Sequence, residues 1–235
     1  FGDLIDNHTP LDANSLPVTG HPRHMASNSN RTRGSFLKTL RTTLVGTALI
    51  PELFPNMRDL TLSHPAEVLE PFQGACIPPG LTRLEFVEMF APTLPIVALL
   101  PHLPATLTDL RLTGTYAEDD PLTPFPTIGW PQSLRKLRLQ NSKNPLRLEF
   151  FTRLPPGLVK LISRATDTPY DDHAVREIIT HLPRGLTYLY FDNPINVKYL
   201  PLLPPTLVSL FCASPLTHPF VDLLPATLCT LRYTR

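Results

Sequence analysis

The stretch Leu103-Pro104-Ala105-Thr106-Leu107-Thr108-Asp109-Leu110-Arg111-Leu112 carries two signals side by side. Pro104 fixes its own φ and has no amide proton, so it closes whatever segment precedes it. The residues after it run Leu-x-x-Leu-x-Leu. Leu110 and Leu112 alternate with Asp109 and Arg111, the period of a strand with one apolar and one polar face. The same ten-residue unit recurs at Ile77–Phe86 (IPPGLTRLEF), Trp130–Leu139 (WPQSLRKLRL) and Leu154–Ser163 (LPPGLVKLIS). It returns at Leu182–Phe191 (LPRGLTYLYF), Leu203–Cys212 (LPPTLVSLFC) and Leu224–Tyr233 (LPATLCTLRY). A shorter copy spans Phe54–Leu62, and Leu37-x-x-Leu40 reads as a degenerate first one. The first leucines of the seven full units fall at 81, 107, 134, 158, 186, 207 and 228, so the intervals are 26, 27, 24, 28, 21 and 21 residues.

Units of this length hold one strand and a short return segment, and one such unit cannot bury its leucine row alone. Stacked neighbours do so, with Leu84 and Phe86, Leu110 and Leu112, Leu137 and Leu139, and Leu189 and Phe191 forming a continuous core. Ser163 and Cys212 stand where a large apolar residue is expected, which marks two weaker turns. Two residues after each proline stand Gly80, Thr106, Ser133, Gly157, Gly185, Thr206 and Thr227. Threonine resists positive φ, so a small or hydroxyl side chain is the requirement there, not a left-handed turn. The return segments differ. Residues 171–179 open with aspartates and space Ala174, Val175, Ile178 and Ile179 at helical intervals, which predicts a helix. Ile96–Leu100 and Glu149–Arg153 have room for one turn each, and the 21-residue units only for 3₁₀ or extended return.

The pattern resembles the leucine-rich repeat, with the LPxxLxxLxL unit most similar to the LPX-type repeats of effectors and to FNIP repeats. The resemblance covers about residues 37–235. It implies an α/β solenoid, an arc with one parallel strand per repeat and helical, 3₁₀ or extended returns. Two departures stand out. The asparagine that such repeats place three residues after the last strand leucine is replaced by Pro65, Met89, Thr115, Ser142, Thr166, Pro194 and Pro215, so loop carbonyls and amides need other partners. The Phe-Asn pair of FNIP repeats is also missing. Effectors of the LPX type that ligate ubiquitin carry a catalytic cysteine in a separate domain, and Cys229 lies inside a repeat, so that role does not transfer.

Bulk composition fits this reading. Proline makes up 29 of 235 residues, more than twice the ordinary share of about 5%. Long helices do not tolerate that density. Residues 1–35 are rich in Asn, Ser, Pro, Thr and His without apolar periodicity and read as a flexible arm; 36–235 read as the repeat domain of about eight repeats. Arg235 falls inside the last strand, which would leave Leu228 and Leu231 partly bare; the reading is a fragment truncated at its C-terminus, with a cap or further repeats to follow.

Net charge is +1, so no overall field draws the chain to nucleic acid or anionic membrane, and no apolar run reaches membrane-spanning length. Cys76, Cys212 and Cys229 have neither disulfide-framework nor zinc spacing, which points to a reducing, intracellular compartment. His21 and His24 lack partner ligands, while His102 and His181 both precede Leu-Pro in a repeated structural slot. Asp119-Asp120 reads as a solvated loop, and Asn7 and Asn30 head glycosylation triplets. No nucleophile elbow, zinc-protease helix or phosphate loop occurs. The reading is therefore no enzyme, no metal and no cofactor.

The polar side of the strands holds the candidate site. Arg111, Lys136, Arg138, Lys160 and Arg164 form a basic block in the middle strands, followed by Tyr188, Tyr190 and Phe211. Tyr and Arg are enriched among interface hot spots. The expected function is a non-catalytic protein-interaction module. Its concave face would bind a protein with an acidic and an apolar or aromatic part, with substrate-recognition adaptor duty as one use. Two alternatives stay open: an extracellular recognition domain of a receptor or adhesin, and the recognition half of an effector whose catalytic domain lies elsewhere.

Overall fold

In all seven full units the Pro-x-x-Leu step is a tight turn: the proline carbonyl accepts a hydrogen bond from the leucine amide three residues on. The distances run from 2.9 Å (Leu228 to Pro225) to 3.2 Å (Leu81 to Pro78). The residue before the proline is extended, as the proline ring requires; Leu103 has φ −69° and ψ 128°, and Leu203 has φ −58° and ψ 148°. Its own amide closes the preceding return segment, with Leu103 donating to Leu100 and Leu203 to Leu200. Proline thus separates two consecutive turns. It costs no hydrogen bond, because the strand ladder begins only after the leucine.

A computed structural model describes residues 15–17, 39–43, 56–63, 77–89, 99–114, 129–140, 146–164, 169–213 and 222–233. The triplets at Asn7 and Asn30, the His21/His24 pair, Asp119-Asp120 and Cys76 lie outside them. Ten strands form one sheet in chain order, each parallel to its neighbours. They are β1 Ser15–Pro17, β2 Thr39–Thr43, β3 Asp59–Ser63, β4 Arg83–Met89, β5 Asp109–Gly114, β6 Lys136–Gln140, β7 Lys160–Ser163, β8 Tyr188–Phe191, β9 Ser209–Cys212 and β10 Thr230–Tyr233. Strands β3 to β10 are the eight copies read from the sequence, and β2 is the degenerate one. The fold is a leucine-rich-repeat solenoid. The sheet begins earlier than the repeat pattern does: β1 lies within the segment read as a flexible arm and pairs with β2, Leu16 facing Leu40. Three residues suffice for that pairing and are too few to show periodicity.

Register stacks leucine on leucine. Leu60, Leu84, Leu110, Leu137, Leu161, Leu189 and Leu210 align across seven consecutive strands, and all are buried. Ser163 and Cys212 are buried in the second core row, between or beside Leu139 and Phe191. At β10, Leu228 and Leu231 are only partly buried. The returns follow the expectations where they are described. Helix α1 is the single turn Glu149–Thr152, burying Phe150 and Phe151; helix α2 spans Asp172–His181. Asp171 caps α2, its carboxylate accepting from the Ala174 amide at 2.7 Å. Leu100–His102 and Val197–Leu202 are 3₁₀ turns.

Without an asparagine row, the loop backbone is held in two other ways. First, the carbonyl of the residue after each first leucine accepts two amides from the next repeat. Thr108 and Asp109 both donate to Thr82, Arg135 and Lys136 to Thr108, and Val159 and Lys160 to Arg135, at 2.8–3.1 Å. The series continues through Thr187 and Tyr188 to Val159, then Val208 and Ser209 to Thr187. Second, the hydroxyl two residues after the proline reaches back to the previous turn. Thr106 Oγ1 lies 2.9 Å from the Pro79 carbonyl and 2.7 Å from that of Leu81. Ser133, Thr206 and Thr227 repeat the arrangement. At two of the three glycines that replace the hydroxyl, an arginine reaches across from the preceding repeat: Arg58 Nη1 donates to Gly80 O and Arg135 Nη1 to Gly157 O, both at 2.7 Å, whereas Val159 stands in that place before Gly185. A Cβ on Gly157 would fall on the Arg135 guanidinium. None of Gly80, Gly157 and Gly185 has a left-handed φ, so these glycines make space and are not turn formers. Asn193 does serve a loop: its Oδ1 accepts from the Tyr170 amide at 2.9 Å, two residues past Phe191 where the pattern puts its asparagine at three.

On the outer side, Asp172 of α2 accepts from Lys198 Nζ and from the Tyr199 hydroxyl, each at 2.8 Å, tying α2 to the next return segment. The Lys198 ammonium, then the Tyr199 hydroxyl, hold this carboxyl below the usual carboxylate range, although burial opposes them.

Thr106→Val, which keeps the shape and removes the hydroxyl, should lower unfolding free energy in urea by about 1 kcal/mol. In a double-mutant cycle, Arg135→Ala with Gly157→Ser should be more stable than the sum of the single changes, because the serine then has room to bond the preceding carbonyls as Ser133 does. For Asp172 the folded pKa lies below the unfolded one. Its contribution is therefore present above the unfolded value near 3.9 and disappears as pH falls through the folded value. Asp172→Asn should flatten the acid limb of a stability–pH profile below about pH 4, as read by chemical denaturation.

Candidate functional site

Alternation puts the odd members of each strand on the concave face, and in-register pairing assembles them into rows. One row runs Asp59, Arg83, Asp109, Lys136, Lys160, Tyr188, Ser209, Thr230. The next runs Thr61, Glu85, Arg111, Arg138, Ile162, Tyr190, Phe211, Arg232. Charge and aromaticity are segregated along both.

At the β3–β5 end carboxylates and guanidiniums are interleaved. Arg83 Nε lies 3.9 Å from Asp59 and 3.6 Å from Asp109, and Arg111 Nε lies 3.5 Å from Asp109. Asp109 is buried between them. Arg111, which the sequence reading groups with the basic block, therefore belongs to this mixed network.

Strands β6 and β7 with the residue after them hold Lys136, Arg138, Lys160 and Arg164 and contain no carboxylate. Ile162 points to the same face but is only 6% exposed, because Arg138 and Tyr190 flank it in register. Beyond it lies an aromatic shelf. The Tyr190 and Phe211 rings are stacked, 5.7 Å apart and 21° from parallel, and Tyr188 meets Phe211 at 5.4 Å. Cations close the stack: Lys160 Nζ sits 4.3 Å from the Tyr188 ring centre, and the Arg164 guanidinium 5.0 Å from that of Tyr190. The Arg232 guanidinium lies 5.4 Å from the centre of Phe211. Each such contact contributes about 0.5–1 kcal/mol where exposed, and it also fixes the position of a long basic side chain.

Of the eight residues singled out from the sequence, five (Lys160, Arg164, Tyr188, Tyr190 and Phe211) form one contact group. Lys136 and Arg138 adjoin it through β6, and Arg111 is drawn away by Asp109. Arg232 completes the group. Its signal was available, since it sits two residues from Thr230 in register with Phe211. Burial, first among the causes, pushes the Tyr188 phenol above its usual value, and Arg138 opposes the shift.

Among the described residues no group of three or more His, Cys, Asp or Glu is placed to hold a metal, and no helix is long and apolar enough to cross a membrane. His102 and His181 lie exposed on the return side, where His181 Nδ1 is 2.8 Å from the Glu177 carbonyl.

No family model and no curated protein matches the chain. Among solved structures, it is similar to CroV588, described as a novel circular leucine-rich-repeat protein, at 17% identity and TM-score 0.48 over 84% of this chain. It is also similar to TLR13, solved in complex with ssRNA13, at 14% identity and TM-score 0.45 over 93% of this chain. The alignments span 33% and 40% of those proteins, so this chain corresponds to well under half of each.

The geometry predicts a late-titrating phenol. The difference in alkaline absorbance titration between the native chain and Tyr188→Phe should show one tyrosine ionising above the ordinary value near 10. Arg138→Ala should move that step higher still, since the guanidinium now favours the phenolate.

Proposed function

We propose that this chain is a non-catalytic protein-interaction module that engages its partner on the concave face of β6–β10, in the manner of a substrate-recognition adaptor. The carrying observation is the aromatic shelf of Tyr188, Tyr190 and Phe211 with Lys160, Arg164 and Arg232 fixed against it. Half-exposed rings and positioned arginines are the side chains that dominate binding energy at protein interfaces, with truncations there costing about 2 kcal/mol or more. The partner carries an acidic part for the Lys136–Arg164 block and an apolar or aromatic part for the shelf. Arg111, engaged by Asp109, stands at the margin of the surface. The proposal includes a reducing, intracellular setting, for which the spacing of Cys76, Cys212 and Cys229 is the support.

Site-specific photo-crosslinking in source-cell lysate tests this. A benzoylphenylalanine at position 190 should capture a discrete partner, and Arg138→Glu should abolish the capture while circular dichroism stays native. The same probe at Leu202, exposed on the opposite side, should capture nothing in common with it. Capture from position 202 alone, unaffected by Arg138→Glu, would contradict the concave-face reading.

A further inference from the structure

The rings of the shelf do not offer their faces. Tyr190 lies between Arg164, from the β7 side, and Phe211, from the β9 side. Phe211 lies between Tyr190 and Arg232, from β10. Tyr188 has Lys160 on its β7 side and Phe211 on its β9 side. A ligand that binds by inserting flat rings between aromatic side chains, as the bases of single-stranded nucleic acid do, finds those faces occupied. What remains accessible is the ring edges together with the N–H groups of cations already held in position. Such N–H groups suit carboxylates, which accept charge-assisted hydrogen bonds, and the ring edges suit an apolar side chain approaching edge-to-face.

The separation between the two chemistries is set by the sheet. The basic block is centred on β6 and β7, and the aromatic pair Tyr190–Phe211 on β8 and β9, two strands further along. At about 4.8 Å per strand that is about 10 Å. An extended peptide advances about 3.3 Å per residue, so its apolar side chain must follow its carboxylates by about three residues.

We infer that the concave face selects an extended acidic peptide segment in which a cluster of Asp or Glu stands about three residues from a Phe, Tyr or Leu, the carboxylates meeting Lys136, Arg138, Lys160 and Arg164 and the apolar side chain resting on Tyr190 and Phe211. This rests on the concave-face reading and narrows it to one ligand chemistry. The β3–β5 end, where Arg83 and Arg111 lie beside Asp59 and Asp109, forms the boundary of the site.

Fluorescence anisotropy on the full chain tests it with labelled synthetic peptides, three glutamates joined to one phenylalanine by two prolines or by six. Proline spacers hold about 3.1 Å per residue, so the longer one carries the phenylalanine past the shelf. The two-proline peptide should bind at least fivefold tighter than the six-proline one, and about tenfold tighter than its three-lysine counterpart. Lys160→Glu should abolish the preference for glutamate over lysine, and Tyr190→Ala should abolish the spacer preference, whereas Tyr190→Phe should keep it. Equal affinity for both spacers, or no peptide binding, would overturn the inference, as would a decauridylate binding in place of the peptides. If peptides fail while crosslinking from position 190 persists, the peptide chemistry is wrong and the concave-face reading stands. If both fail, the reading falls with it.

Discussion

One backbone carbonyl per repeat sets the geometry of this molecule. The oxygen after the first leucine, or after Met57 in the short copy, takes two amide protons from the next repeat, and this happens at Arg58, Thr82, Thr108, Arg135, Val159, Thr187 and Val208. A shared acceptor leaves little freedom in the offset between neighbouring strands. With the offset fixed, Leu110 stands over Leu84 and under Leu137, and a row of apolar side chains that no repeat buries alone becomes a core. The Pro-x-x-Leu turn presents that carbonyl, because the proline ends the return segment and the leucine turns inward. The hydroxyl and arginine bridges then fasten six of the seven full turns to their neighbours where an asparagine row is missing.

The site is a consequence of the same offset. Period-two alternation decides which side chains face outward, and in-register pairing decides which of them touch. Lys160, Tyr188 and Phe211 come from three repeats separated by more than twenty residues each, yet lie within contact distance because their strands are neighbours. The electrostatics change along the arc for the same reason. Asp59 and Asp109 bracket Arg83, so that end mixes both signs, while β6 and β7 place cation next to cation, Lys136 beside Lys160. Adjacent like charges on an open sheet are unfavourable in the free protein. The proposed carboxylate-bearing partner would lessen that repulsion on binding.

Much of the fold was legible in the residues. Leucine spacing at 107, 110 and 112 specified strand, face and repeat together, and Asp171 with Val175, Ile178 and Ile179 specified helix α2 and its cap. The bridges were not legible, because they join residues twenty or more apart whose link is spatial: nothing in the sequence ties Arg135 to Gly157. The alternation of glycine with threonine or serine did show that the position has no left-handed requirement. The site was legible as a list and not as a geometry. Pattern placed Arg111 among the basic residues, although Asp109, two residues earlier on the same face of β5, holds its guanidinium. Pattern likewise exposed Ile162, which its cross-strand neighbours cover.

The shared-carbonyl register is best tested by residue-resolved amide hydrogen exchange. The amides of Thr108 and Asp109, Arg135 and Lys136, Val159 and Lys160, Thr187 and Tyr188, and Val208 and Ser209 should be protected as adjacent pairs, recurring once per repeat. Paired protection at these positions is what the account predicts. Fast exchange there, with protection displaced along the chain by one residue, would contradict it, because a one-residue slip turns every core leucine toward solvent.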